Sequence, residues 1–154
     1  MTSVLAPPRI KPKSFTYRTS VAGVEGRSAS LQAEGKPPLR VASPPEFRGV
    51  AGVWTPEDLF VAAIDVCLML TFIGIAEKRG LQLAKYESKA EGLLEWDQHS
   101  YRFTRVIVSP TITLFDEQSI VAAREIIERA HDTCLVAKSV ACEVVVEPSF
   151  NVKR

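Results

Sequence analysis

The longest apolar stretch lies in the middle of the chain and predicts a helix over residues 55–80. Thr55 can cap this helix, Pro56 suits its first position, and Gly80 suits the residue after its end. From residue 59 to residue 76 nearly every position is apolar, so that no face of the helix is left polar. A helix that is apolar all round has to be covered on every side, by other elements or by another chain.

Polar and apolar residues alternate on both sides of this helix, which is the pattern of strands. Before the helix, three short runs between turns rich in glycine and proline predict strands at residues 15–21, 27–33 and 39–42. After it, the runs 81–94 and 101–109 predict a hairpin whose tip is formed by residues 95–100. Pro110 predicts a bulge or a sheet edge there, because proline has no N–H to donate.

The period changes again over residues 116–133, where apolar positions recur as they do in an amphipathic helix. Its predicted buried stripe consists of Ile120, Ala123, Ile127 and Ala130. A last strand is predicted over residues 140–147. The order of strands, helix, hairpin, helix and strand indicates an α+β fold, with a mobile, proline-rich arm at residues 1–13 and a single domain at residues 14–154.

Composition narrows the class of protein. The 154 residues include 19 Lys and Arg against 18 Asp and Glu, so the charge gives no reason to expect binding to nucleic acid or to an anionic membrane. Asp65 interrupts the apolar helix, which favours a buried core helix over a membrane span. The N-terminus has proline and lysine where a signal peptide needs apolar residues, and three cysteines do not form a disulfide framework, so the expected location is cytoplasmic.

The three cysteines are the candidates for chemistry. Cys67 lies near the middle of the apolar helix, and Cys142 lies in the last predicted strand, where it is expected to be a core residue. Cys134 follows a predicted cap at residues 132 and 133, so that N–H groups of a short helical turn at residues 135–139 would lower its pKa. The spacing leaves open whether Cys67 and Cys134 act together or are ordinary core residues. With His99 and His131, the cysteines do not form a closed zinc site.

Two segments read together resemble a known family. Residues 54–71, WTPEDLFVAAIDVCLMLT, and residues 130–140, AHDTCLVAKSV, are similar to the OsmC/Ohr family of thiol-dependent hydroperoxide reductases. In that family a cysteine follows the glutamate of the helix-opening motif by ten residues, as Cys67 follows Glu57, and a second cysteine stands where Cys134 does. The resemblance covers about residues 15–148 and implies antiparallel sheets wrapped around a long central apolar helix, in an intertwined homodimer.

The resemblance also implies a function, which is the reduction of organic hydroperoxides in defence against oxidative stress. Cys67 would become a sulfenic acid and Cys134 would convert it to a disulfide, which an external dithiol or a lipoylated protein would reduce, with no bound cofactor or metal. Glu57 would hold an arginine that lowers the pKa of Cys67, with Arg48 as the first candidate and Arg27 as the second. The alternative is a dimer of the same fold without peroxidase activity, which binds an apolar ligand or senses redox state.

Helix geometry adds one expectation, and two residues depart from the family pattern. Glu57 and Cys67 are about 15 Å apart along one helix, so a shared site needs Glu57 from a second, antiparallel copy. Leu135 stands where the family usually has proline. Asp65 stands where the family has a small apolar residue, and an anion near Cys67 would raise the pKa of that thiol.

Overall fold

The computed structural model describes residues 13–23 and 26–154, and the chain divides after Val53 into two units. Residues 1–12 of the predicted arm and the centre of the predicted turn at residues 22–26 lie outside the described residues. The first unit contains an antiparallel sheet in the order β1 (Ser20–Ala22), β2 (Ser28–Gln32) and β3 (Leu39–Ala42). All three predicted strands are present, although β1 begins five residues later than predicted.

The second unit begins with the predicted long helix, α1 (Pro56–Lys78). Thr55 and Asp58 form a capping box: the Thr55 hydroxyl oxygen accepts from the Asp58 N–H at 3.0 Å, and the Asp58 carboxylate accepts from the Thr55 N–H at 3.0 Å. Gly80, just beyond the helix, has a φ of 68°, a left-handed conformation that glycine adopts without strain. The start and the end of the helix are therefore confirmed, because both are set by local residues.

One side of α1 is buried. Its buried residues lie four positions apart along the helix and are Ile64, Leu68, Phe72 and Ala76. On the other side, apolar side chains remain exposed, and Leu70 is 61% exposed. The covering on every side that the sequence predicts is therefore not provided by residues 54–154, the unit that contains α1. By length and composition α1 could also span a membrane, a test that core helices of globular proteins pass as well.

The sheet of the second unit is built on a long hairpin of β4 (Leu83–Trp96) and β5 (Tyr101–Leu114), as predicted. The chain then forms β6 (Glu143–Val146) and β7 (Ser149–Val152), and both pair with β5 in parallel. The predicted α+β fold is confirmed, with antiparallel pairing among β1, β2 and β3 and between β4 and β5. The strands β6 and β7 depart from the prediction of antiparallel sheets, because both run parallel to β5, and β7 was not predicted. Cys142 lies just before β6 and packs against the core, as expected for a small apolar residue.

Pro110 lies inside β5, opposite Ser88 of β4, and the irregularities of this pairing fall elsewhere in the hairpin. On the other edge of β5, the pairing with β6 ends at Val108 and the pairing with β7 begins at Thr111. Of the two alternatives predicted for Pro110, the bulge is wrong and the sheet edge is borne out, because neither β6 nor β7 pairs with that residue. Pro110, which has no N–H to donate, lies between the part of β5 that pairs with β6 and the part that pairs with β7.

The second helix, α2 (Ser119–Thr133), begins three residues later than predicted. Asp116 precedes it and accepts hydrogen bonds from the Ser119 N–H at 2.8 Å and from the Ser119 hydroxyl at 2.9 Å. The buried residues of α2 are Ala123, Ile126, Ile127 and Ala130. Three of them were predicted; Ile126 was not, and the predicted Ile120 is only partly buried. They pack with the buried row of α1 and alternate residues of β5 in one core, which also includes Cys134.

Candidate active site

The structure brings Cys67 and Cys134 together. Cys67 lies in the middle of α1 and is partly exposed, whereas Cys134 follows the last residue of α2 and is fully buried. Both are free thiols, and their side chains hydrogen-bond to each other. Because α1 and α2 pack against each other in the core, two cysteines 67 positions apart in sequence meet in one site.

A tight turn after Cys134 supplies backbone donors to both sulfurs. The turn leads into the short 3-10 helix Ala137–Ser139, close to the predicted helical turn. The N–H of Leu135 donates to Cys67 and that of Ala137 donates to Cys134, while the N–H of Val136 contacts both sulfurs. The N–H groups predicted beside Cys134 are therefore present, but they act on Cys67 as well as on Cys134.

The two thiols differ in acidity, and Cys67 is the more acidic. Burial acts to raise the pKa of Cys67, but hydrogen bonds from Val136, Cys134, Thr71 and Leu135 together lower it below its ordinary value. All four of these residues lower the pKa of Cys67 by hydrogen bonding. Cys67 is accordingly the thiol that ionises first, and the thiolate is the nucleophilic form of cysteine.

The pKa of Cys134 is shifted in the opposite direction, above its ordinary value. Burial raises its pKa, hydrogen bonds from the Ala137 and Val136 N–H groups act against this, and the hydrogen bond and the charge of Cys67 raise it further. The predicted lowering of the Cys134 pKa is therefore wrong. Backbone donors are present, but burial and the neighbouring thiolate outweigh them.

Thr71 is a site residue that sequence analysis missed. Its hydroxyl donates to the Cys67 carbonyl oxygen at 2.7 Å and also lies within hydrogen-bonding reach of the Cys67 sulfur. The hydroxyl has a single proton and can serve one of these acceptors at a time. The spacing of four residues on one helix was the signal that could have identified it.

Asp65 has a different partner from the one expected. Its carboxylate accepts a hydrogen bond of 2.5 Å from the Ser88 hydroxyl on β4. Burial and, second, the charge of Asp65 raise the pKa of Tyr86, whose ring packs 5.5 Å from that of Phe72. The expectation that Asp65 raises the pKa of Cys67 is not met, since the pKa of that thiol is lowered.

Glu57 lies in the first turn of α1, about 15 Å along the helix from Cys67. One of its carboxylate oxygens, Oε2, is buried and has no hydrogen-bond partner in the part of the chain that the structure describes. A buried carboxylate oxygen without a donor is costly, so this side chain calls for a donor that the described residues do not supply. The structure thus does not bring Glu57 and Cys67 of one chain together.

Arg48 belongs to the first unit, where it ends a short 3-10 helix (Pro45–Phe47) in a left-handed conformation with a φ of 61°. Arg27 is held in the same unit, since its guanidinium donates to the Phe47 carbonyl oxygen at 2.9 Å. The roles predicted for both arginines stay predictions. Among residues 13–23 and 26–154 no cluster of three or more potential metal ligands is found.

Comparison with known proteins finds one relative by sequence and several solved structures of the same fold. The chain is 19% identical over 116 residues to the uncharacterised protein YmaD of Bacillus subtilis strain 168, covering 73% of this chain and 77% of the relative. An OsmC-like protein of unknown function from Vibrio cholerae superimposes with a TM-score of 0.81 at 23% identity, covering 88% of this chain and 99% of the other. An organic hydroperoxide resistance protein OsmC from Legionella pneumophila superimposes with a TM-score of 0.71 at 22% identity, over 91% of this chain and 99% of the other.

A third structure, an organic hydroperoxide resistance protein from Elizabethkingia anophelis, has a TM-score of 0.73 at 17% identity, over 93% of this chain and 100% of the other. At these identities the likeness of the solved structures establishes the fold. A family model described as OsmC-like protein matches residues 49–149, which is more than half of the sequence. It spans the long helix, both thiols and the hairpin between them, and on this match the chain belongs to the OsmC-like protein family.

Proposed function

We propose that this protein reduces organic hydroperoxides, with Cys67 as the nucleophile and Cys134 as the resolving thiol. The observation that carries the proposal is the direct contact of two free thiols whose pKa values are shifted in opposite directions. A peroxidase of this type needs one thiolate to attack and one protonated thiol kept in reserve beside it. The names of the Legionella and Elizabethkingia neighbours, organic hydroperoxide resistance proteins, support the same substrate class.

The proposed reaction has two steps on the protein. The Cys67 thiolate attacks the terminal oxygen of the hydroperoxide, the O–O bond breaks, and the alkoxide takes a proton to leave as an alcohol. Cys67 is then a sulfenic acid. The Cys134 sulfur attacks Cys67, a disulfide forms, and the sulfenic hydroxyl leaves as water with the Cys134 proton. Two electrons have passed from the thiols to the peroxide.

The cycle closes when an external dithiol, such as that of a lipoylated protein, reduces the disulfide. The reaction needs no bound metal or cofactor, since sulfur carries both electrons. The cytoplasm, where thiols are kept reduced, is the proposed location. Apolar residues of α1 around Cys67 suit an alkyl hydroperoxide better than hydrogen peroxide.

Thiol counting under anaerobic conditions tests this function directly. One equivalent of cumene hydroperoxide should remove two of the three thiols per chain within seconds to minutes and release cumyl alcohol. Peptide mapping should place the new disulfide between Cys67 and Cys134. An unchanged thiol count over minutes would reject the peroxidase and leave the non-peroxidatic dimer, which binds an apolar ligand or senses redox state.

We further propose that the working form is a homodimer packed along α1. The exposed apolar side of α1 and the buried, unpartnered carboxylate oxygen of Glu57 both support a second copy. In an antiparallel arrangement, the Glu57 of one chain would approach the Cys67 region of the other. Arg48 is proposed to stand between them as the partner of Glu57.

Replacing Leu70 by glutamate is expected to break this dimer. Leu70 is 61% exposed in the single chain, so the change disturbs little within the chain but places a charge in the proposed interface. Light scattering should show a dimer for the parent and a monomer for Leu70→Glu. Val121→Glu is the matched control, because Val121 is 67% exposed on α2 and should leave the dimer intact. A parent protein that is itself a monomer would contradict the interface.

Replacing Arg48 by alanine is expected to slow the oxidation of Cys67 roughly tenfold or more, since a guanidinium near a thiolate favours the charged form and so lowers the pKa of the thiol. Stopped-flow measurement with cumene hydroperoxide would give the rate constant. Arg27→Ala is the comparison that identifies which arginine acts. Equal rates for parent and Arg48→Ala would remove Arg48 from the site.

A further inference from the structure

The two site cysteines differ in how far a molecule from solvent can reach their sulfurs. Cys134 has no exposed surface and belongs to the buried core, together with Ile126, Ile127 and Ala130 of α2. Cys67 lies on α1, keeps part of its surface exposed and packs against the edge of this core. Because protein interiors are packed as densely as organic crystals, the surroundings of Cys134 leave no room for a second molecule.

We propose that the dithiol reductant attacks the Cys67 sulfur of the disulfide and not the Cys134 sulfur, so that peroxide and reductant approach the protein along the same line. This inference rests on the proposed function, because it concerns the disulfide that the peroxidase forms. It goes beyond that function in assigning both half-reactions to the sulfur of Cys67. Cys134 is then the group that the reductant expels.

The direction of attack carries the argument. In a thiol–disulfide exchange the attacking sulfur, the central sulfur and the leaving sulfur lie close to one straight line. An attack on Cys134 would have to come from the side opposite to Cys67, and Cys134 is covered by protein on every side. An attack on Cys67 comes from the side opposite to Cys134, and Cys67 is the sulfur that keeps exposed surface.

The oxidation steps leave the required line open. When Cys134 attacks the Cys67 sulfenic acid, the hydroxyl departs from the side of Cys67 that lies opposite to Cys134, again because the displacement is in line. The departing oxygen came from the peroxide, which had therefore reached Cys67 from that side. The thiolate of the reductant needs the same position, so it retraces the path of the peroxide.

The proposed reduction balances in two displacements. A thiolate of the reductant bonds to the Cys67 sulfur, the Cys67–Cys134 bond breaks, and Cys134 leaves with the electron pair and takes a proton. The second thiolate of the reductant then attacks the reductant's own sulfur, and Cys67 leaves as a thiolate. The dithiol has become a disulfide, and its two electrons have returned both protein thiols to the reduced state.

The acidity of the leaving group opposes this order in the first displacement. A thiol of lower pKa leaves faster, and the pKa of Cys67 is lowered while that of Cys134 is raised, so expulsion of Cys67 would be favoured if both sulfurs were equally open. Access decides the outcome, because a sulfur that the thiolate cannot reach does not react. In the second displacement the acidic Cys67 is the leaving group, which speeds its release.

Mapping of a trapped mixed disulfide tests the proposal. The Cys142→Ser variant leaves two of the three cysteines, and diamide oxidises them to the Cys67–Cys134 disulfide without a peroxide. The folded protein then receives mercaptoethanol, a monothiol that stops at the first displacement. After seconds, acid stops the exchange, and N-ethylmaleimide in denaturant blocks the freed thiol. Mercaptoethanol on Cys67 with maleimide on Cys134 should exceed the reverse arrangement at least about tenfold.

The same oxidised protein unfolded in urea is the matched control. Both sulfurs are open there, so both arrangements should form, which shows that the mapping detects each of them. Mercaptoethanol on Cys134 of the folded protein in a share similar to that in urea would overturn the proposal. A folded protein in which Cys67 takes no mercaptoethanol, or in which diamide forms no Cys67–Cys134 disulfide, would overturn it as well.

The experiment separates this proposal from the peroxidase, because none of its steps uses a peroxide. A protein that carries mercaptoethanol on Cys67 but does not consume cumene hydroperoxide would support the point of attack and reject the peroxidase. A protein that consumes the hydroperoxide but carries mercaptoethanol mainly on Cys134 would support the peroxidase and reject the point of attack.

Discussion

Replacing Cys67 by serine is expected to abolish hydroperoxide reduction, because no other thiol in the site is activated. Cys134 has a raised pKa and is buried, so it is mostly protonated near neutral pH and poorly accessible to a peroxide. After one equivalent of cumene hydroperoxide, Cys67→Ser should retain both of its thiols. Consumption of the peroxide, measured with a dithiol in excess, should fall to the uncatalysed rate.

Cys134→Ser should behave differently from Cys67→Ser, because it removes only the second step. It should lose one thiol, form a sulfenic acid that dimedone traps on Cys67, and release one equivalent of alcohol. Cys142→Ser is the control, since Cys142 packs against the core and is expected to leave the loss of two thiols unchanged. Loss of two thiols in Cys67→Ser would mean that another pair carries the reaction.

The pH dependence of the first step follows from the lowered pKa of Cys67. The sulfur remains a thiolate at pH values where an ordinary cysteine is protonated. The rate of attack should therefore stay constant as the pH falls from that ordinary range, and it should drop only below the lowered pKa. A rate that already falls at the pKa of an ordinary thiol would indicate that Cys67 is not activated.

Replacing Phe72 by alanine is expected to lower the free energy of unfolding by about 3–5 kcal/mol, the usual cost of emptying the space of a buried phenylalanine. Phe72 has no exposed surface, and its ring packs against Tyr86 across the contact between α1 and β4. Its loss leaves a cavity beneath the helix that carries Cys67. Urea unfolding followed by circular dichroism measures the change.

Val121→Ala is the matched helix control for this experiment. Val121 is exposed on α2, so its truncation should change the free energy of unfolding by less than about 0.5 kcal/mol. Equal losses in the two variants would show that the row of α1 containing Phe72 is not the main core contact. Both variants should be compared in the reduced state, because a Cys67–Cys134 disulfide would add its own contribution to stability.

Much of the fold could be predicted because its signals are local. The capping box of Thr55 and Asp58 and the glycine at position 80 lie within a few residues of the helix ends that they define. The hairpin of β4 and β5 also joins neighbours in sequence. The parallel strands β6 and β7 could not be predicted in the same way, because they pair with a strand about 40 residues earlier and no local pattern encodes that choice.

The candidate site was predictable only in part, and for the same reason. Residue spacing left the pairing of Cys67 with Cys134 open, and only the resemblance to a family suggested it. The structure shows the two thiols in contact, since α1 and α2 pack together. The roles of Glu57 and Arg48 depend on groups beyond a single unit of the chain and remain proposals.

The sequence by itself determined the long apolar helix, its capped ends, the hairpin and the family. Only the tertiary structure decided which thiol is acidic. Sequence placed the N–H groups beside Cys134, whereas in the folded chain burial raises the pKa of Cys134 and two N–H groups reach Cys67. Likewise, only the folded chain shows that the Asp65 carboxylate accepts a hydrogen bond from the Ser88 hydroxyl and that the pKa of Cys67 is lowered, not raised. Local conformation follows from neighbouring residues, but burial and the direction of a hydrogen bond are fixed only when distant segments pack.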